Sequence, residues 1–178
     1  MNDVNNRKIS ELPGELVEVE AIVTSNTRGK FKPKVDKAGQ IKNTPLQMLL
    51  KMKKGARVML TSNIDVCNNL TNGTMGKILD FVKDANRKIK FVLVIFDDPS
   101  AGEEYRKQIN FDHQYPGQRA TALKQIEFDF QLREGSTSSA TATNFPIRLA
   151  WGSTCHKIQV RFSIKYGSAR YALTNSSL

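Results

Sequence analysis

Hydrophobic and polar positions alternate most clearly between Gln125 and Leu132. Ile126, Phe128, Phe130 and Leu132 fall on one side, and Glu127, Asp129 and Gln131 on the other. A period of two predicts a half-buried strand. Three apolar runs, Arg57–Leu60, Met75–Phe81 and Ile89–Phe96, are separated by polar turns containing Asn68-Asn69, Asn72-Gly73 and Asp84-Ala85-Asn86. Short strands at this spacing predict a small antiparallel barrel or sandwich over Leu46–Phe96. Nearer the start, Pro13-Gly14 marks a turn. Leu16–Val23 then sets Glu18 and Glu20 against Val17, Val19 and Ala21, the pattern of one strand with a wet face.

Other stretches lack a period. Thr24–Thr44 is polar and lysine-rich, and Gly29, Pro33 and Gly39 interrupt it, so it reads as a loop. Ala101–Leu123 scatters Tyr105, Phe111, His113 and Tyr115 through polar text and reads as an insertion loop. Gly135–Asn144, GSTSSATATN, is small and hydroxyl-rich and reads as a linker. Phe145–Gln159, FPIRLAWGSTCHKIQ, is the least generic stretch. Pro146 holds its predecessor extended. From Ala150 onward, Trp151, Cys155 and Ile158 recur at i, i+4 and i+7, predicting strand, turn, then a short amphipathic helix. Its other faces carry Thr154, Lys157 and Gln159, with His156 close by. They can serve as ordinary polar cover or meet a polar ligand.

Charge changes the picture. The 178-residue chain has a formal net charge of +10, unevenly placed. Arg28–Arg57 holds ten Lys/Arg against Asp36 alone, and Gly135–Leu178 holds five with no acid; Met1–Glu20 has five acids against Arg7 and Lys8. Such clustering favours a polyanion, above all nucleic acid, or else serves as a solvated basic face. Lys30, Lys32, Lys34 and Lys37 can track a phosphate backbone or simply solvate their loop. Aromatics among basic residues, as in Ala101–Leu123, can stack on bases. No apolar run approaches a membrane span and the first residues lack a signal-peptide core, so an intracellular protein without a membrane partner is expected.

Reaction chemistry is sparse. Cys67 and Cys155 make neither a disulfide framework nor a metal cluster. Cys155 and His156 are adjacent, but consecutive helical residues point about 100° apart, which disfavours a dyad. His113 has no second ligand at metal spacing. VLVIFDDP at Val92–Pro99 has the shape of a strand holding Mg²⁺ beside a nucleotide, but no G-x-x-x-x-G-K-[ST] loop accompanies it, so a strand-closing turn is the better reading. No catalytic residue and no metal ligand is assigned.

Leu149-Ala150-Trp151, Thr154, His156-Lys157 and Gln159 resemble the LAWA-x-T-x-HK-x-Q-G signature of the PIF-type (petite integration frequency) DNA helicases, superfamily-one motors related to RecD. Gly152 stands at the usual Ala, and Val160 at the Gly after the Gln. In that family the segment lies in the second RecA-like motor domain and touches single-stranded DNA, so the resemblance implies DNA contacts by Thr154, His156, Lys157 and Gln159. KKGARVMLTSNID...LTNGTMGKILDF...FVLVIFDDP is similar to the Src-homology-3-like barrel inserted in that domain, with Asn63, Asn72, Gly73 and Gly76 at its turns. NNRKISELPGE resembles the family's N-x-x-x-L-x-x-LPGE turn, with the preceding helix nearly absent. Ala169–Thr174 faintly resembles an element whose arginine finger reaches the γ-phosphate, but Asn175 occupies that position.

The expectation is an α+β, mostly β chain in which a small Src-homology-3-like antiparallel barrel is inserted in a partial RecA-like α/β domain. Residues 1–45 are a partial RecA-like segment and basic loop, 46–134 the barrel with an extended loop, 135–144 a Ser/Thr-rich linker, and 145–178 the returning RecA-like segment. The resemblance implies a C-terminal helicase fragment that contacts single-stranded DNA and supports strand separation in repair, recombination or telomere maintenance. The nucleus is the implied compartment and the mitochondrion the alternative. ATP and magnesium belong to the intact family, and neither is expected to be bound by this chain alone. The missing motor domain is the implied protein partner. A stand-alone nucleic-acid-binding module and an inactive relic of a truncated helicase gene are the competing readings.

Overall fold

The computed structural model describes residues 2–26, 32–132 and 138–152. Helix α1 spans Asn2–Glu11, and helix α2 spans Glu103–Gln108. The strands are β1 (Val17–Glu20), β2 (Ile22–Ser25), β3 (Leu49–Met52), β4 (Arg57–Leu60), β5 (Met75–Lys83), β6 (Ile89–Phe96), β7 (Thr121–Leu123), β8 (Ile126–Gln131), β9 (Ser139–Asn144) and β10 (Ile147–Leu149). The chain is mostly β, as expected.

The three runs read from the apolar pattern become β4, β5 and β6 within an antiparallel sheet ordered β10-β4-β5-β6-β7. Among the described residues this sheet is open, because its outer strands β10 and β7 do not pair with each other. The barrel of the sequence reading is therefore not closed here. Strand β6 is apolar on both faces because both are covered. Val92, Val94 and Phe96 join the main core with Leu60, Ile78, Leu123, Phe145 and Ile147. Phe91 and Leu93 pack on the opposite side with Ala120 and Ala122.

A bulge in β5 reconciles this core with an acid. Ile78 pairs with Val94 but Asp80 pairs with Leu93, so an extra residue is taken up between them. Strict alternation would turn Asp80 toward the main core beside Ile78. The bulge moves it to the other face, a common use of such irregularities.

Gly76 and Gly73 serve different physical needs. Gly73 has φ +94°, the left-handed region that its turn requires. Gly76 lies inside β5, and a Cβ there would sit 2.7 Å from both the Ile95 carbonyl oxygen and Val94 Cγ1. Gly76 is therefore required for close approach, not for a turn.

Four expectations need correction. The first residues form a ten-residue helix rather than a vestige. Ile9 and Asn5 are buried on α1, and Lys53 Nζ donates to the Leu12 carbonyl 2.9 Å away. Leu16–Val23 is not one strand: β1 pairs with β3 and β2 pairs with β9, and the chain changes partner at buried Ala21. The Ala101–Leu123 loop contains α2 and β7. From Ser139 the Ser/Thr-rich linker is strand β9, the middle of a sheet ordered β2-β9-β8. Ala140 and Ala142 are buried there beneath Phe128 and Phe130 of β8, whose own alternation matches the expected half-buried strand.

Residues 34–44 of the lysine-rich loop are held by local backbone hydrogen bonds. Asp36 Oδ1 accepts hydrogen bonds from the Ala38 and Gln40 amides, and Ile41 and Leu46 are fully buried.

Gly76→Ala is expected to lower unfolding stability by about 2 kcal/mol, because the added methyl meets backbone and a branched side chain. Gly73→Ala meets nothing within 4 Å and is expected to cost about 1 kcal/mol, through its positive φ alone. Urea titration of the two variants beside the parent chain measures the difference.

Candidate nucleic-acid interface

The segment singled out by sequence enters the fold through β10. Phe145 and Ile147 are almost wholly buried, each contributing about 2 kcal/mol of apolar transfer, and they fix the strand against β4. Ile147 pairs with Leu60 and Leu149 with Val58, and the Thr61 amide donates to the Pro146 carbonyl just outside the strand. The Ala150 amide donates to the Arg57 carbonyl. Trp151 packs half-buried against the main core. Residues 151 and 152 are bent rather than helical, so the helix expected from Ala150 does not begin there. Thr154, His156, Lys157 and Gln159, with Cys155, lie outside the described residues.

Two residues missed by the sequence reading meet at this strand. Asn5 of α1 is buried; its Nδ2 donates to the Leu149 carbonyl at 3.3 Å, and its Oδ1 accepts from the Trp151 and Gly152 amides, each at 3.1 Å. Arg148 lines an open cavity of about 200 Å³ with Asn6, Gln47 and Lys51. Its half-buried guanidinium makes no hydrogen bond or ion pair among the described residues. Burial pushes its pKa down, and the carboxylate of Asp36 opposes the shift. Lys51 is paired with Glu18 at 3.0 Å. Both residues were visible as text, Asn5 as the Asn of the N-x-x-x-L-x-x-LPGE turn and Arg148 inside FPIRLAWG, but neither carries a local signal of what it faces.

The other sequence candidates are committed to the fold. Arg57 clamps both carboxylate oxygens of Asp97, and Asp98 Oδ1 accepts from the Ser100 amide and hydroxyl. The acids after β6 thus close a turn. Phe111 packs edge-on to Phe91 at 5.9 Å, and Lys90 and Lys124 lie 5.4 and 5.8 Å from the same Phe91 ring. Tyr105 packs on the main core. The Tyr115 hydroxyl donates to Asp80 Oδ2 at 2.6 Å, while Lys54 reaches Asp80 Oδ1 at 2.6 Å. These rings are structural, not a stacking platform. Among the described residues no three His, Cys, Asp or Glu could hold a metal, and no helix is long and apolar enough to cross a membrane.

Residues 40–81 match the family model described as DNA helicase Pif1, 2B domain. The chain is 35% identical over 77 residues to the ATP-dependent DNA helicase PIF1 of Danio rerio, covering 43% of this chain and 11% of that protein. It is 32% identical over 88 residues to the Xenopus laevis protein of the same name, covering 49% and 12%. The chain therefore spans about an eighth of the length of these relatives or less. In fold it resembles the crystal structure of Pif1 helicase from Candida albicans, with a TM-score of 0.58 at 23% identity, covering 89% of this chain and 34% of that one. Bacteroides Pif1 bound to ssDNA gives 0.54 at 20% identity, covering 89% and 29%. The resemblance to PIF-type helicases thus holds, and the chain is related to a part of such a protein.

The Asp80–Tyr115 contact predicts a pH signature. The hydrogen bond to Asp80, followed by burial, pushes Tyr115 up from 10.0 to about 12. Burial pushes the Asp80 carboxyl up, but hydrogen bonds from Lys54, Tyr115 and the Phe81 amide outweigh it and leave the group below its usual value. The Tyr115 contribution is therefore fully present below pH 10 and lost as pH rises through about 12. The Asp80 contribution is lost as pH falls below the ordinary carboxylate range. Tyr115→Phe is expected to cost about 1 kcal/mol at neutral pH and to flatten the alkaline decline. Denaturation midpoints from neutral to strongly alkaline pH test both effects.

Proposed function

We propose that this chain is a non-catalytic, strand-gripping part of a PIF-type ATP-dependent DNA helicase, acting in nuclear DNA maintenance. The observation that carries the reading is the position of the Pif1 2B match. Residues 40–81 include β3, β4 and most of β5, and β4 is the strand on which β10 is seated. The matched stretch thereby holds the segment that leads into Thr154, His156, Lys157 and Gln159. In this reading those four side chains touch single-stranded DNA, and Arg148 adds a phosphate contact from its own cavity. The solved structure of one fold neighbour, Bacteroides Pif1 bound to ssDNA, supports that ligand class.

The finer architecture follows the same reading. The open sheet of β4–β7 is the Src-homology-3-like insert, and α1 with β10 belongs to the RecA-like part it interrupts. Nucleotide chemistry comes from elsewhere in the motor, because the sequence has no G-x-x-x-x-G-K-[ST] loop and Asp97 is held by Arg57. ATP and magnesium then act on motor elements that this chain contacts rather than contains. DNA repair, recombination and telomere maintenance are the processes in which such a grip would serve.

Fluorescence anisotropy of a labelled single-stranded oligonucleotide, beside its duplex, tests the reading across several salt concentrations. Preference for the single strand is expected, with log affinity falling linearly in log salt. Lys157→Ala and Arg148→Met should each weaken binding and lower the salt slope by about 0.7, one phosphate contact on a single strand. Equal weak binding to both forms, untouched by either substitution, contradicts the proposal.

A further inference from the structure

We propose that Asn5 is a positioning residue that sets the backbone of Leu149–Gly152, on which DNA binding depends. The inference rests on the strand-gripping reading for its consequence, but its geometry stands apart from that reading. One amide side chain serves three backbone groups of the same short stretch: the Leu149 carbonyl and the Trp151 and Gly152 amides. Two successive amides converging on one oxygen form a small concavity that a carbonyl or carboxylate oxygen fills. The Ala150 amide just before them faces the other way, onto the Arg57 carbonyl. Backbone groups at four consecutive residues are thereby fixed, by β4 on one side and by α1 on the other.

The chemistry is specific to asparagine. Alanine provides neither donor nor acceptor. Aspartate keeps an oxygen for the two amides but has no donor for the Leu149 carbonyl when ionised. The contact bridges 146 residues of chain to Trp151 and 147 to Gly152. Among the described residues no strand ladder covers Trp151 and Gly152, and Asn5 accepts from both of their amides. A change at Asn5 therefore reaches residues 151 and 152 directly, together with the last residue of β10.

Trp151 is the chain's sole tryptophan, so its fluorescence reports this region directly. The test combines amide hydrogen exchange at Trp151 and Gly152, tryptophan emission, and single-stranded DNA anisotropy on the full chain. Asn5→Ala should speed exchange of both amides by at least about tenfold, shift the emission, and weaken DNA binding about tenfold, the effect of one or two lost buried hydrogen bonds. Asn5→Asp should keep both amides protected and fall between Asn5→Ala and the parent in affinity. A folded Asn5→Ala with parental exchange, emission and affinity overturns the proposal, as does equal loss of protection in Asn5→Asp. Should Asn5→Ala fail to fold, the protection pattern of Asn5→Asp decides alone. Should the parent chain bind no DNA, the strand-gripping reading falls, while exchange and emission still decide the role of Asn5.

Discussion

The fold depends on the seating of β10 against β4. Phe145 and Ile147 enter the main core at this point, and the Pro146 carbonyl, β10 itself and the Ala150 amide extend the contact along β4 in both directions. Asn144, fully buried at the end of β9, starts the run by donating from Nδ2 to the Gln47 carbonyl and accepting from the Phe145 amide. The path from β9 to Gly152 is thus fixed at almost every residue. Everything distinctive in the sequence follows directly after it.

Some of this was legible from the residues. Strands β4, β5, β6 and β8 were readable because each combines β-branched or aromatic residues with a clear period or a polar boundary. Strand β9 was not, because SATATN has small side chains and hydroxyls that read equally well as a linker. It becomes a strand because β2 and β8 flank it and the bulk of Phe128 and Phe130 requires small neighbours. The split between β1 and β2 was invisible for a similar reason: no local signal at Ala21 marks a change of partner.

The candidate interface was legible to a different depth. The HK-x-Q text pointed to a ligand-facing segment, and Ala101–Leu123 read as an insertion loop whose aromatics could also serve as a second one. The fold removes the second, since Phe111, Tyr105 and Tyr115 are occupied by Phe91, the core and Asp80. It adds Asn5 and Arg148, whose roles depend on contacts across the chain that no spacing rule encodes. A helix of modest propensity, NDVNNRKISE, is held in place by Ile9, Asn5 and the Lys53 contact to Leu12 more than by its exposed Lys8–Glu11 pair, which contributes little in water.

Chemistry and grip are separated in this account. The acids that could have served a metal close a turn, and Arg148 on β10 makes no ion pair among the described residues. Photocrosslinking tests that division most directly: a single-stranded oligonucleotide carrying halogenated uracil is irradiated with the chain and the attached peptides are identified. Crosslinks confined to Arg148 and the residues that follow it are the predicted result. Crosslinks spread over the lysine-rich loop and the far face of the five-stranded sheet, with none after Arg148, would contradict the account.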